Sequence, residues 1–229
     1  KIVLERPYKE WLDETRIYLK DVPNTNEDCP IETLDIKTRS RLYNYTMEDI
    51  QEVITPMAQN GKEALGSMGI DTPLAVLSDR PQLISNYFKQ LFAQVTNPPL
   101  DGIREEIVTD ISLALGKDRN IFSISKRQCK KLRIQNPVIS NNDLEKIRNI
   151  KIGRDFKAIT IAMLYKKVKG VNGLEDALDN IIKQVTKAIE DRNNIIILSD
   201  RGANQEMAPI PALLACSYVN HQMNRLRKR

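Results

Sequence analysis

The sequence predicts an α/β fold, a mostly parallel sheet flanked by helices, with a helical part at the N-terminus. Two observations carry this expectation. The last third of the chain alternates the two periodicities: residues 158–164 read as a strand, and 174–189 place Leu178, Ile181, Ile182, Val185 and Ile189 on one helical face. Ile195 to Leu198 is then an unbroken apolar run of the kind buried on both faces, and 211–226 is helical again. Strand, helix, strand, helix is the order of a parallel sheet with right-handed crossovers. The second observation is that the clearest patterns before residue 60 are both helical.

Taken in order, 7–19 suits an opening helix, with Trp11, Leu12 and Tyr18 available to an apolar face, and a polar loop follows through Asp21, Pro23, Asn24 and Asn26. Thr46 with Asp49 forms a capping pair ahead of Met47, Ile50, Val53 and Ile54 at helical spacing. Pro56 is expected to break or restart that helix, since it lacks an amide donor and restricts Thr55. Residues 81–92 read as a helix that starts on Pro81 and buries Leu83, Tyr87, Phe88 and Leu91. It ends at Thr96, Asn97, Pro98 and Pro99, where two prolines make a stiff turn. Strand and helix both fit 107–115. Asn136, Pro137 and Val138 mark a turn, and Ser140 with Asp143 caps a short helix through Ile147.

The 229 residues are enough for one large domain or two small ones. Apolar residues make up 41% and charged residues 28%, an ordinary globular balance. No apolar run reaches the length of about 18 residues that a membrane helix needs, and the first residues lack the apolar core of a signal peptide. A cytoplasmic protein with no membrane partner is the expectation. The 35 basic and 30 acidic residues alternate along most of the chain instead of forming one stripe, so no nucleic-acid partner is expected. Cys29, Cys129 and Cys216 are far apart and odd in number, which excludes a disulfide framework or a Cys-x-x-Cys site. Cys216 reads as a small buried hydrophobe.

Few residues offer chemistry. His221 is the lone histidine, which removes multi-histidine metal sites and a histidine triad, and it suits a helix surface. Gly66 and Gly69 lack the spacing of nucleotide loops. Ser199, Asp200, Arg201 and Gly202 follow the apolar strand, where open α/β sheets place their crevice. Two uses stay open there: Asp200 and Arg201 pair with each other and close the loop, or they meet a ligand. Ser78, Asp79, Arg80 and Pro81 carry the same pair of readings, with Ser78 or Asp79 as a cap.

Three segments, EALGSMGIDTPLAVLSDRPQL, YFKQLFAQVTNPPLDGIREE and ILSDRGANQEMAPIPALLA, are too long and irregular to arise from periodicity. They resemble the central domain of the glutamate synthase large subunit, and the similarity runs from about Pro7 to Arg227. The resemblance implies a scaffold that links a glutamine amidotransferase domain to an FMN domain within an enzyme making glutamate from glutamine and 2-oxoglutarate. It implies no catalytic residue, cofactor or metal in this segment. FMN and an iron-sulfur cluster belong to the parent enzyme, whose further partner is an electron-donating small subunit or ferredoxin. By motif, Met68, Thr96 and Asn97 would line the ammonia tunnel; Thr96 and Asn97 equally suit bonding the turn backbone. Residues 1–60 would lead in from the amidotransferase domain, and 61–229 would form the α/β central domain, truncated at its C-terminal end. Gly102, where many members carry proline, and Asn220, His221 and Gln222, where many carry histidines, depart from the family. The alternative is a free-standing α/β enzyme or metabolite-binding module using Asp200 and Arg201.

Overall fold

A computed structural model of the chain describes residues 6–24, 34–62, 64, 71–92, 100–120, 122–150 and 155–227. Two compact units emerge, one made of Lys1–Ile31 with Glu106–Arg229 and the other of Glu32–Glu105. The first helix, α1 (Tyr8–Thr15), opens after Pro7, and its Tyr8 and Trp11 rings meet edge to face at 5.5 Å. It stops short of the expected Leu19. The Thr15 hydroxyl donates back to the Trp11 carbonyl at 2.5 Å, and the β-branched and aromatic pair that follows forms β1 (Ile17–Tyr18) instead.

In the second unit, α2 (Ile36–Leu42) begins at Asp35, whose carboxylate accepts the Thr38 N–H at 3.0 Å. The expected cap at Thr46 is reciprocal: its N–H donates to Asp49 Oδ2 at 2.8 Å and its hydroxyl accepts the Asp49 N–H at 3.1 Å. Of the two outcomes expected at Pro56, the structure has the restart: Pro56 stands in the first turn of a new helical element. A π-helical stretch over Asp49–Ile54 runs straight into α3 (Thr55–Asn60), because the wider turn ahead of the proline makes room for its ring and its missing donor. Gly61 ends α3 at φ +60, a left-handed cap that costs a glycine nothing in Cβ contacts.

The expected helix over 81–92 is replaced by a 3-10 turn, Ile84–Phe88. Its apolar face is not buried either: Tyr87 is 50% exposed, Phe88 74% and Leu91 46%. Local side-chain bonds compete with a regular helix here, since Ser78 Oγ accepts from the Arg80 N–H and from Gln82, and Gln82 accepts from Asn86. More important, no described residue of this unit is buried, and helices owe most of their stability to a packed face.

The chain returns to the first unit through α4 (Gly102–Val108) and β2 (Leu113–Leu115), so both patterns legible over 107–115 are used, one after the other. In one sheet β3 (Leu132–Ile134) lies between β1, parallel to it, and β2, antiparallel to it. Ser140 caps α5 (Asn141–Arg148) by accepting the Asp143 N–H at 3.1 Å, as the sequence predicts. Then come β4 (Ala158–Ala162), β5 (Leu164–Lys166), α6 (Gly170–Glu190), β6 (Ile195–Ser199), β7 (Met207–Pro209) and α7 (Ala212–Arg225). β4 and β6 pair in parallel from Ala158 with Ile195 to Ala162 with Ser199, the relation their intervening helix predicts. The single strand expected over 158–164 is divided at Met163. Its N–H donates to the Ser199 carbonyl and its own carbonyl accepts the Ile210 N–H, both at 2.8 Å, so the chain leaves β6 and β5 pairs antiparallel with β7.

Two apolar clusters flank the β4/β6 pair. On one face Ile195 and Ile197 join Leu132, Ile134, Ile147 and Phe156. On the other, Ile196 and Leu198 meet Ile181 and Val185 of α6 and Ala215 and Met223 of α7. The period of two along β6 thus divides one apolar run between two cores. Contrary to the sequence reading, only Ile195 of that run is buried and the rest are half-buried; β6 has β4 as its one strand partner among the described residues. Cys216 is exposed, not buried, because it stands one step round α7 from the inward Ala215. His221 is exposed on the same helix, as expected.

Candidate functional site

The loop that follows β6 is built by two local devices. Gly202 adopts φ +94, which turns the chain without a Cβ penalty. Asn204 then organises the return: its side-chain oxygen accepts the N–H groups of Glu206 and Met207, each at 2.9 Å, and its own N–H donates to the Met207 carbonyl at 3.0 Å. The Lys167 N–H donates to the Glu206 carbonyl at 2.9 Å, which ties the loop to the end of β5. The loop therefore has a defined shape at the carboxyl end of the parallel pair.

Arg201 does not use Asp200 to close this loop. Its guanidinium reaches α5, donating from Nη2 to Asn141 Oδ1 at 2.7 Å and lying 3.9 Å from Glu145. Glu145 is only 4% exposed and accepts a hydrogen bond of 2.5 Å from Arg148 Nη1. Arg148 in turn donates from Nε to Thr160 Oγ1 of β4 at 3.2 Å. One buried carboxylate thus joins α5, β4 and the loop through two guanidiniums, which satisfies a charge that would otherwise be costly to bury. Asp200 is half-buried. Met68, Thr96 and Asn97 lie outside the described residues.

Sequence reasoning missed Glu145 and Asn141. Nothing in NNDLEKIR distinguishes Glu145 from a solvated acid, because its burial depends on a loop that lies far along the chain. Asn204 was legible in principle, as an asparagine in a Gly-Ala-Asn-Gln turn.

The acids that brace this unit are tuned by their partners. Lys146 and then the Ser140 hydroxyl hold the Asp143 carboxyl below its usual range, and Lys130 does the same for Asp155 with help from Arg119. Both carboxylates therefore add stability that is complete above the unfolded value of about 3.9 and is lost as pH falls through the lower folded value. Asp155→Asn and Asp143→Asn should each lower stability at neutral pH and flatten its decline below about pH 4, read as urea midpoints against pH. A decline as steep as that of the unaltered protein would contradict the assignment.

Among the described residues no three His, Cys, Asp or Glu side chains are grouped to hold a metal ion, and no helix is long and apolar enough to cross a membrane. The family model described as "Glutamate synthase central domain" matches residues 38–229. The glutamate synthase [NADPH] large chain of Bacillus subtilis is 40% identical over 98% of this chain. The glutamate synthase [NADH] of Schizosaccharomyces pombe is 36% identical over 97% of it, and the ferredoxin-dependent glutamate synthase 2 of Synechocystis is 34% identical over 96%. The chain spans 14%, 11% and 14% of these three relatives respectively. Matched over most of its length by the family model and at this level of identity by three such proteins, the chain belongs to the glutamate synthase central domain family.

Proposed function

We propose that this chain is the central scaffold domain of a glutamate synthase, linking the glutamine amidotransferase and FMN domains of one polypeptide and contributing to the wall of the ammonia path between them. The parent enzyme makes glutamate from glutamine and 2-oxoglutarate, with FMN and an iron-sulfur cluster in its other domains and electrons from a small subunit or ferredoxin. This segment carries no catalytic residue. Residues 1–60 lead in from the amidotransferase domain, and 61–229 are the α/β part. The observation that carries the reading is the extent of the match: nearly all of this chain corresponds to about one-seventh of the Bacillus subtilis large chain.

Physical features support it. In the Glu32–Glu105 unit, Leu77, Phe88 and Phe92 are 74%, 74% and 83% exposed, apolar surface of the sort that neighbouring domains cover. The engagement of Arg201 with Asn141 and Glu145 supports a structural task for the loop after β6 and counts against a metabolite pocket there.

The tunnel role of Met68, Thr96 and Asn97 has a direct test in the full-length enzyme. A thioether beside a hydroxyl and an amide offers ammonia a passage with occasional acceptors and no charge to trap it. Met68→Trp and Thr96→Val should leave glutamine hydrolysis and ammonia-dependent glutamate formation intact while glutamine-dependent synthesis falls. Loss of all three activities together would indicate a folding defect, and no change in any would remove these residues from the path.

A further inference from the structure

The loop between β2 and β3 is held in one shape by its own side chains. The Asn120 side-chain oxygen accepts the Phe122 N–H at 3.0 Å, and the Asn120 carbonyl accepts the Ser123 N–H at 3.0 Å. Gln128 Nε2 donates to the carbonyls of both Asn120 and Ser123, while Gln128 Oε1 accepts the Ser125 N–H at 3.5 Å. Ser125 and Gln128 thus cap the 3-10 turn Lys126–Cys129 reciprocally, and Lys126 pairs with Glu14 of α1. On this frame Phe122 is 89% exposed and Ile124 48%. A single exposed apolar side chain is ordinary. A phenyl ring held in water by a tightly bonded loop, with an isoleucine two residues on, forgoes one of the larger apolar gains open to a side chain. Charge surrounds it. Residues 117–131 hold six cations and one acid. Glu14 and Asp155 reach in from outside the loop, the latter to Lys130 at 2.6 Å and Arg119 at 3.5 Å, and Asp118 pairs with Lys131. Positive charge remains in excess.

We infer that Phe122 and Ile124 dock into an apolar socket rimmed by carboxylates on another domain of the same full-length polypeptide. The charge selects the rim, since an excess of cations around an apolar centre is complementary to acids around an apolar socket. A two-fold contact with a second copy would instead set this positive surface against itself. A nucleic acid fits less well, because the exposed carboxylates of Glu14 and Asp118 stand among the cations and repel a phosphate backbone, whereas a protein surface meets both signs. The tether selects the source. Relatives of which this chain spans 11–14% carry most of their length outside it, and covalent linkage gives those domains a high effective concentration at the loop. A loop already ordered by its own bonds loses little freedom on docking, and an aromatic ring among arginines is the composition of an interface centre. Phe122 belongs to the unit of Lys1–Ile31 with Glu106–Arg229, so this contact is separate from the exposed residues of the Glu32–Glu105 unit. The inference rests on the reading that this chain is one domain of a longer polypeptide, and not on the ammonia path.

Photo-cross-linking in the full-length enzyme tests it. With p-benzoylphenylalanine in place of Phe122, light should join this position to a segment of the same polypeptide, outside the present 229 residues, that carries several Asp or Glu side chains. A cross-link within these residues, to a second copy or to a separate protein, or none at all, would overturn the assignment. Lys117→Glu combined with Arg127→Glu turns the surrounding charge against an acidic rim and should lower the cross-link yield about tenfold; an unchanged yield would remove the acids from the socket. Phe122→Asp should speed amide exchange in the cross-linked segment about tenfold, whereas Phe122→Leu should leave it within about twofold. Exchange unaltered by the aspartate would overturn the apolar socket. The Leu132 amide, on β3 in the core, is the folding control for each variant. Glutamine-dependent synthesis by the same preparation separates the two readings: an active enzyme whose position 122 forms no cross-link sinks the contact alone.

Discussion

Leu132→Ala is expected to destabilise the protein by about 2 to 5 kcal/mol, because a fully buried leucine is replaced in a site with little freedom to collapse. Leu132 is 0% exposed and lies on β3, between β1 and β2, where its cluster also receives Ile147 from α5 and Ile195 from β6. Any inward shift to fill the cavity would disturb all of these elements at once. Ile181→Ala on α6 removes a comparable side chain, 1% exposed, from the other cluster. As the two clusters lie on opposite faces of β4 and β6, the double variant should lose the sum of the two single effects to within about 0.5 kcal/mol. Urea unfolding supplies the numbers. An unchanged midpoint for Leu132→Ala would show that this core is not packed as described.

Glu145→Ala should be nearly as damaging, by a different mechanism. Removing one partner of a buried ion pair typically costs about 3 to 5 kcal/mol, because the remaining charge is left uncompensated. Here two guanidiniums would remain, with side chains 21% and 24% exposed, so water offsets part of the loss and the lower end of that range applies. The loop after β6 would also lose its tie to α5, so limited proteolysis should find 200–206 more readily cut. Glu145→Gln keeps the shape and the acceptor while removing the charge, and it should fall between the two. Equal stability of the alanine variant and the unaltered protein would mean that Glu145 is a solvated surface acid.

The elements that were legible in the sequence share a property: their signals are local or strictly periodic. Thr46 with Asp49 and Ser140 with Asp143 form caps because each bond closes within three residues. The strand, helix, strand order over 158–198 dictated a parallel pair, because the length of α6 leaves little other geometry. The 81–92 segment misled for the same reason in reverse. An apolar stripe states a preference, but it needs a neighbouring layer that the described residues of this unit do not supply.

By itself the sequence determined the α/β class, the principal caps, the parallel pair and, through three irregular segments, the family. Only the tertiary structure decided what the residues after β6 do. Arg201 adjoins Asp200 in sequence, yet it bonds Asn141 and approaches Glu145, sixty and fifty-six positions away. No local pattern encodes that choice, because the burial that makes Glu145 demand a cation exists only once α5, β4 and the loop have been brought together. The single strand partner that β6 has among the described residues is decided at the same level. An unbroken apolar run announces a strand meant for burial on both sides, but which neighbours cover it depends on how the whole sheet is assembled.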